Sequence, residues 1–227
     1  MNTREKAEEI FAWGLSQRTD AMRESWVTHS QSAARVAEAI AKKTGLDADL
    51  AYAMGLMHDI GRCDFKSGMN HIMIGYRKMM EEGLPEVART CLTHSFGLKE
   101  QAEEVELSTT EDTEFVRQFI KETEYDDYDR LVQLADYMSG AHGVTTLERR
   151  FCSVLARYDL AKPRRDLMGA YELKRYFDEK CGVDVYELFR EEIAEAPFRG
   201  IPGDYEREMA PGVYTKEIEE VKGKETK

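Results

Sequence analysis

Several things are scarce in this chain, and each scarcity narrows what it can be. No stretch approaches the ~20 consecutive apolar residues of a helical membrane span. The opening MNTREKAEEI is charged where a secretory signal would be apolar. The expectation is a soluble, cytoplasmic protein with no membrane partner. The four cysteines, Cys63, Cys91, Cys152 and Cys181, are scattered and form no CxxC, which argues against a thiolate zinc site or a disulfide framework. They fit reduced, mostly buried thiols. Positive charge is in deficit as well. A formal net charge of −12 leaves no basic footprint for a nucleic-acid polymer. A small phosphorylated molecule needs only a few local cations and stays open as a partner. Histidine is rare too, with five in the whole chain, so their placement is informative.

At 227 residues with 42% hydrophobic content, the chain can build one substantial core and does not demand two. Nearly every segment reads as helix. From Trp26, the positions His29, Ala33, Val36, Ala37 and Ile40 follow three-and-four spacing, with Gly45 as the stop. Asp47 can cap the next helix, AYAMGLMHDI, which is apolar on most sides and ends at Gly61. A helix through Asn70–Glu82 stops at Gly83, and Pro85 opens a short one reaching His94. Acidic and small polar residues make Lys99–Thr113 a loop or weak helix. Further helices are predicted at Asp126–Ser139, Thr146–Tyr158, Arg165–Lys180 and Asp184–Glu195. No strand alternation bounded by hairpin turns is found. The chain therefore reads as all-α. Beyond Pro197 glycines and prolines break it into an irregular tail.

Four of the five histidines fall in one ordered series with two aspartates: His29, His58-Asp59, His71, His94 and Asp136. Imidazole with carboxylate is a ligand mix that borderline divalent metals prefer. Taken singly, a histidine on an apolar helix face is more often a core residue with one satisfied hydrogen bond. His29 lies in its helix's apolar stripe, and His94 shares a face with Val87 and Cys91. His71 is flanked by Ile74 and Gly75, where the glycine permits a close helix approach. Neighbouring helical residues diverge by ~100°, so His58 and Asp59 can serve one ligand only near a helix end or in a seam, and Gly61 places them at the end. An ionised Asp59 there would be costly unless a cation met it; Arg62 is the alternative partner. Asp136 lies beside the stripe of Leu131, Leu134, Ala135 and Met138, where periodicity alone reads a solvated carboxylate. Cys63 and Cys91 read as packing residues, and His142 as a loop residue.

The strings THSQSAARVAEAI, GLMHDIGR and LVQLADYMSG, in that order, resemble the HD superfamily of metal-dependent phosphohydrolases over residues ~25–145. The resemblance implies a single HD-type helical domain over residues 1–198, with the motif core at 25–145, further helices at 146–198, and the tail at 199–227. It also implies a first divalent metal on His29, His58, Asp59 and Asp136. NHIMIGY and CLTHSFG occupy the places of two further histidines in two-metal members. His71 and His94 would then take a second metal, with Asp59 bridging both. Iron or manganese heads the candidates, with zinc, cobalt, nickel and magnesium also compatible. The HDI and LAD strings are similar to the branch that splits diadenosine tetraphosphate.

Other branches fit less well. No doubled histidine with glutamate and GYP follows His94, as the cyclic di-GMP branch would require, and the added Glu-Asp pair of the alarmone hydrolases is not placed at any position here. The implied activity is hydrolysis of a nucleotide or other small phosphoester by metal-activated water. Asp59, Arg62 and Lys66 are the candidate catalytic residues, the two cations as phosphate grips. For both, a cation favoured at a helix C-terminus is the plain alternative. Two other readings use the same ligands: a mixed-valence di-iron oxygenase, and a non-catalytic sensor held together by its metal.

Overall fold

A computed structural model describes residues 2–64, 66–155 and 163–196. It is helical, as expected, apart from one very short ribbon. Helix α1 (Thr3–Gln17) starts at a reciprocal cap: the Glu5 N–H donates to the Asn2 side chain, and the Asn2 N–H donates to the Glu5 carboxylate. The apolar reading, begun at Trp26, assigns nothing here, because Ala7, Ile10, Phe11 and Gly14 form a narrow buried face among charges. Helix α2 (Arg23–Thr44) buries His29, Ala33, Val36, Ala37 and Ile40 and ends at Gly45, whose φ of 77° suits glycine. Helix α3 (Ala48–Met57) is capped by Asp47, which accepts from the Asp49 and Leu50 N–H groups. It crosses α2 closely. A Cβ on Gly55 would lie 2.6 Å from the Ala33 carbonyl oxygen.

The expected end of α3 at Gly61 is corrected. The helix stops at Met57, with His58 as its cap, and Ile60–Cys63 tighten into a 3-10 turn that contains Gly61. Gly61 serves close approach instead: a Cβ there would stand 2.0 Å from the His71 carbonyl oxygen and 2.8 Å from the Gly75 nitrogen. Both neighbours are backbone and cannot swing away. Gly61→Ala is therefore expected to cost about 3 kcal/mol, at the upper end of core overpacking, read as a lowered midpoint in thermal unfolding. An unchanged midpoint would contradict this packing.

Helix α4 (His71–Glu81) and helix α5 (Pro85–Thr93), which opens on Pro85, fall where the sequence places them. The Lys99–Thr113 stretch is a loop or weak helix, as expected, only as far as Thr109. It holds a 3-10 turn at Lys99–Glu104 and then, unexpectedly, the start of helix α6 (Thr110–Glu122). Thr109 caps α6, Glu111 and Asp112 suit the positive end of its dipole, and Val116 and Ile120 are buried. Acidic composition hid an amphipathic helix. Helix α7 (Asp127–Tyr137) leads into a two-stranded antiparallel ribbon, β1 (Ser139–Gly140) and β2 (Gly143–Val144). The strands are too short to show alternation. Helix α8 (Leu147–Leu155) and helix α9 (Pro163–Cys181) follow. The expected helix Asp184–Glu195 is split into a 3-10 turn at Val185–Phe189 and helix α10 (Arg190–Glu195). The last residues of the expected Thr146–Tyr158 helix and the expected tail at 199–227 lie outside the described residues.

One apolar cluster joins Phe11, Trp26, Met54, Met57, Met79 and Val132. A second joins Ile40, Leu131, Leu134, Met138, Phe151 and Phe177. A third joins Ile72, Leu92, Phe96, Val116 and Ile120. Helices α2, α3, α4, α5 and α7 thus meet in the interior, and their ends bring polar groups to one place. Among the described residues, no helix is long and apolar enough to cross a membrane.

Candidate metal centre

Five segments supply the polar interior. His29 comes from the second turn of α2, His58 and Asp59 from the end of α3, and His71 from the start of α4. His94 caps α5, and Asp136 lies in the last turn of α7. His58 and His71 are fully buried, and His29, Asp59 and His94 nearly so. Each imidazole spends its Nδ1 on a backbone carbonyl. His29 donates to Ser139 at 3.0 Å, His58 to Gly55 at 2.7 Å, His71 to Gly68 at 2.7 Å and His94 to Thr90 at 3.1 Å. A carbonyl only accepts, so Nδ1 carries the proton and Nε2 presents a lone pair.

Those lone pairs converge. Nε2 of His29 and Nε2 of His58 stand 3.1 Å apart, and those of His71 and His94 stand 3.4 Å apart. Asp59 spans the two pairs. Its Oδ2 faces His29 and His58 at 3.7 and 3.9 Å, and its Oδ1 faces His71 and His94 at 3.1 and 3.5 Å. Asp136 Oδ1 lies 3.3 Å from His29 Nε2 and 4.0 Å from His58 Nε2. Asp59 Oδ1 is buried with no donor in hydrogen-bond geometry, which calls for an explanation. Facing lone pairs and an orphaned carboxylate oxygen repel one another, and a cation among them turns the repulsion into ligation. Three overlapping groups place their ligand atoms within 4.8 Å of one another: His29, His58 and Asp59; Asp59, His71 and His94; and His58, His94 and Asp136. The donor set therefore fits divalent cations.

Protonation states agree with that fit. Burial lowers the His58 pKa to about 4, more than nearby Asp59 restores. His71 is also lowered, by burial and then by Arg62. Both imidazoles are neutral ligands at neutral pH. Burial alone would raise the two carboxyls. For Asp59 the charge of Arg62 leads the groups that outweigh it, and for Asp136 the close approach of His29 leads, with Arg150 adding its charge. Both are held below the usual carboxylate range and are ionised.

The surrounding residues hold the geometry. Trp26 Nε1 donates to the Asp59 carbonyl at 3.1 Å, and Arg18 Nη1 to the Arg62 carbonyl at 2.9 Å, so the Asp59–Arg62 turn is braced from two sides. Arg62 Nε donates to Asp59 Oδ2 at 2.8 Å, and its Nη2 faces His71 Nε2 at 3.4 Å. Lys66 is exposed on the turn beyond, its backbone N–H donating to Asp64. The Ser95 Oγ lies 2.9 Å from His94 Nε2, beside the lone pair that faces the cluster. Arg150, from α8, places Nη2 3.5 Å from Asp136 Oδ1.

The sequence reading thus named six side chains that the structure gathers, and put Arg62 beside them. It missed Ser95, whose signal was adjacency to His94, and Arg150, which no periodicity marked. It also missed the Ser139 carbonyl, which no side-chain pattern could reveal.

Fold and cluster together define an all-helical protein built round a buried imidazole–carboxylate centre suited to divalent cations. The family model for the HD domain matches residues 26–141, just over half of the chain. The chain belongs to the HD domain family, and its clustered histidines and aspartates mark a metal-dependent enzyme of that type. It is also 35% identical over 78 residues to a tRNA (cytidine(56)-2'-O)-methyltransferase of Thermoplasma volcanium, a match covering 34% of this chain and 23% of that protein. The chain therefore spans less than a quarter of that relative's length. No solved structure gives a significant match.

Proposed function

We propose that this chain is a cytoplasmic phosphohydrolase that uses a dinuclear metal centre to hydrolyse a nucleotide or another small phosphoester. The observation that carries this reading is the two-sided carboxylate of Asp59, with one imidazole pair facing each oxygen. His29, His58 and Asp136 would hold one cation with Asp59 Oδ2, and His71 and His94 the other with Asp59 Oδ1. Bound divalent cations would supply a hydroxide nucleophile near neutral pH and offset charge developing on phosphorus. The chain's own residues do the rest. His58, His71 and His94 are buried, so charge interactions at the cluster are little screened by water. Arg62, whose side chain is 38% exposed, can turn its planar guanidinium from Asp59 to two phosphoryl oxygens. Lys66, exposed on the turn after Arg62, is the second candidate phosphate grip.

The relative named for tRNA methylation does not move this reading, since the match spans under a quarter of that protein. A net charge of −12 also disfavours a polynucleotide.

The test is a screen of nucleoside phosphates, dinucleoside polyphosphates and simple phosphomonoesters on freshly purified chain with its native metal restored. Phosphate release by wild type and none by Asp59→Ala supports the proposal. A loaded centre that consumes oxygen and releases no phosphate favours the di-iron alternative and overturns it. The two-cation arrangement has its own expected result. Replacing His71 or His94 with alanine lowers metal content from two ions per chain to one, read by elemental analysis. Two ions retained in either variant would contradict it.

A further inference from the structure

Arg150 lies outside the segment that carries the family motif, yet it reaches the centre. Its Nη2 is 3.5 Å from Asp136 Oδ1, while Arg62 Nε is 2.8 Å from Asp59 Oδ2. Each of the two carboxylates of the cluster therefore has a guanidinium on it. The imidazoles are almost closed to water, and the more open members are Asp136, Arg62 and Arg150, at 22%, 38% and 16% side-chain exposure. Those are the members a solute can reach.

The charges then constrain what binds. Two carboxylates and two guanidiniums cancel, and imidazoles ligate cations in their neutral form. Each divalent cation adds two positive charges that these side chains do not offset. A cation on Asp136 would also face Arg150 as a like charge, and an anion between them removes that repulsion.

We infer that Arg150 binds substrate, closing with Arg62 on the non-bridging oxygens of a phosphoryl group that carries at least two negative charges. The inference rests on the proposed phosphohydrolase reading and deepens it. Phosphomonoesters and the ends of polyphosphates satisfy the charge, whereas a phosphodiester brings only one negative charge per phosphorus. The planar fork of arginine suits two oxygens of one phosphoryl group, and lysine matches it in charge alone.

The experiment titrates inorganic phosphate, and separately dimethyl phosphate, into metal-loaded full-length chain at pH 8 by calorimetry. Wild type, R150A and R150K are compared, and metal content is measured in each. Phosphate affinity should fall on the order of tenfold in R150A, as for loss of a charge-assisted hydrogen bond. It should recover in part in R150K, with metal content unchanged. Dimethyl phosphate should bind weakly in all three. Unchanged phosphate affinity in R150A overturns the inference. So does loss of metal in both variants, which would make Arg150 a brace for Asp136. Where R150A does not fold, R150K is compared with wild type, and an unchanged affinity is then the contradicting result. Phosphate binding needs no turnover, so the two claims separate. A chain that binds phosphate through Arg150 and hydrolyses no phosphoester refutes the phosphohydrolase reading alone. A hydrolase whose phosphate affinity ignores Arg150 refutes this inference alone.

Discussion

Asp59→Ala is expected to lose its bound metal and all turnover while keeping its helices. The reason is geometric. One oxygen of Asp59 faces His29 and His58 and the other faces His71 and His94, so a single truncation removes a ligand from both sides. Losing an outer-shell partner of a metal ligand already costs ten- to a hundredfold in affinity. Loss of a shared ligand should exceed roughly a hundredfold for each cation. The fold should survive, because the variant also relieves a buried carboxylate with an unmet oxygen. Circular dichroism reports the helices and elemental analysis the metal. Retained metal with normal helicity would show that Asp59 bridges nothing.

The second large effect concerns stability. Asp129→Ala is expected to destabilise the fold by about 3 kcal/mol, a fall of roughly 10 °C in unfolding midpoint for a domain of this size. Asp129 is fully buried on α7. Its carboxylate accepts from Arg89 Nε at 3.0 and 3.1 Å, from Thr93 Oγ1 at 2.8 Å and from the Asp126 N–H at 3.0 Å, with Arg89 Nη2 as a further donor. Removing it strands the donors of α5. Arg89 is 32% exposed and can recover some water, which keeps the cost near the low end for a broken buried pair. The network also has a functional side. Thr93 precedes His94, and its carbonyl accepts from Gln133 on α7, so the two helices carrying His94 and Asp136 are tied at this point. Replacing both charges, as in R89M/D129L, should recover much of the loss. A double variant no better than D129A would argue that the pair itself stabilises the fold.

How much of this could be read from the sequence depends on what kind of signal each feature leaves. The cap at Asp47, the left-handed Gly45 and Gly83, and the opening Pro85 are local chemistry, and the helix ends they mark fall where expected. Helix α6 was hidden because its acidic first turn reads as a loop, while the face that matters is only Thr113, Val116 and Ile120. Gly61 looked like a helix stop, but its role depends on α4 pressing against it, and that is tertiary. Asp136 shows the limit most clearly. Helical periodicity puts it beside the buried stripe, where a solvated carboxylate is the plain reading. In the structure it reaches His29 at 3.3 Å from that edge position. Only resemblance singled it out. The histidines were legible as a series because the chain holds so few. The carbonyls that fix their tautomers were not, since backbone acceptors leave no mark in a sequence.

The central claim is that four Nε2 lone pairs and two carboxylates face one another because cations belong between them. X-ray absorption at the edge of whichever metal is retained by the freshly purified chain tests it most directly. Nitrogen and oxygen ligands are expected at ~2.0–2.2 Å with the outer-shell scattering of imidazole, and a metal neighbour at roughly 3.5–4 Å. A metal coordinated without imidazole, or a chain that retains none after incubation with iron, manganese or zinc, would contradict it.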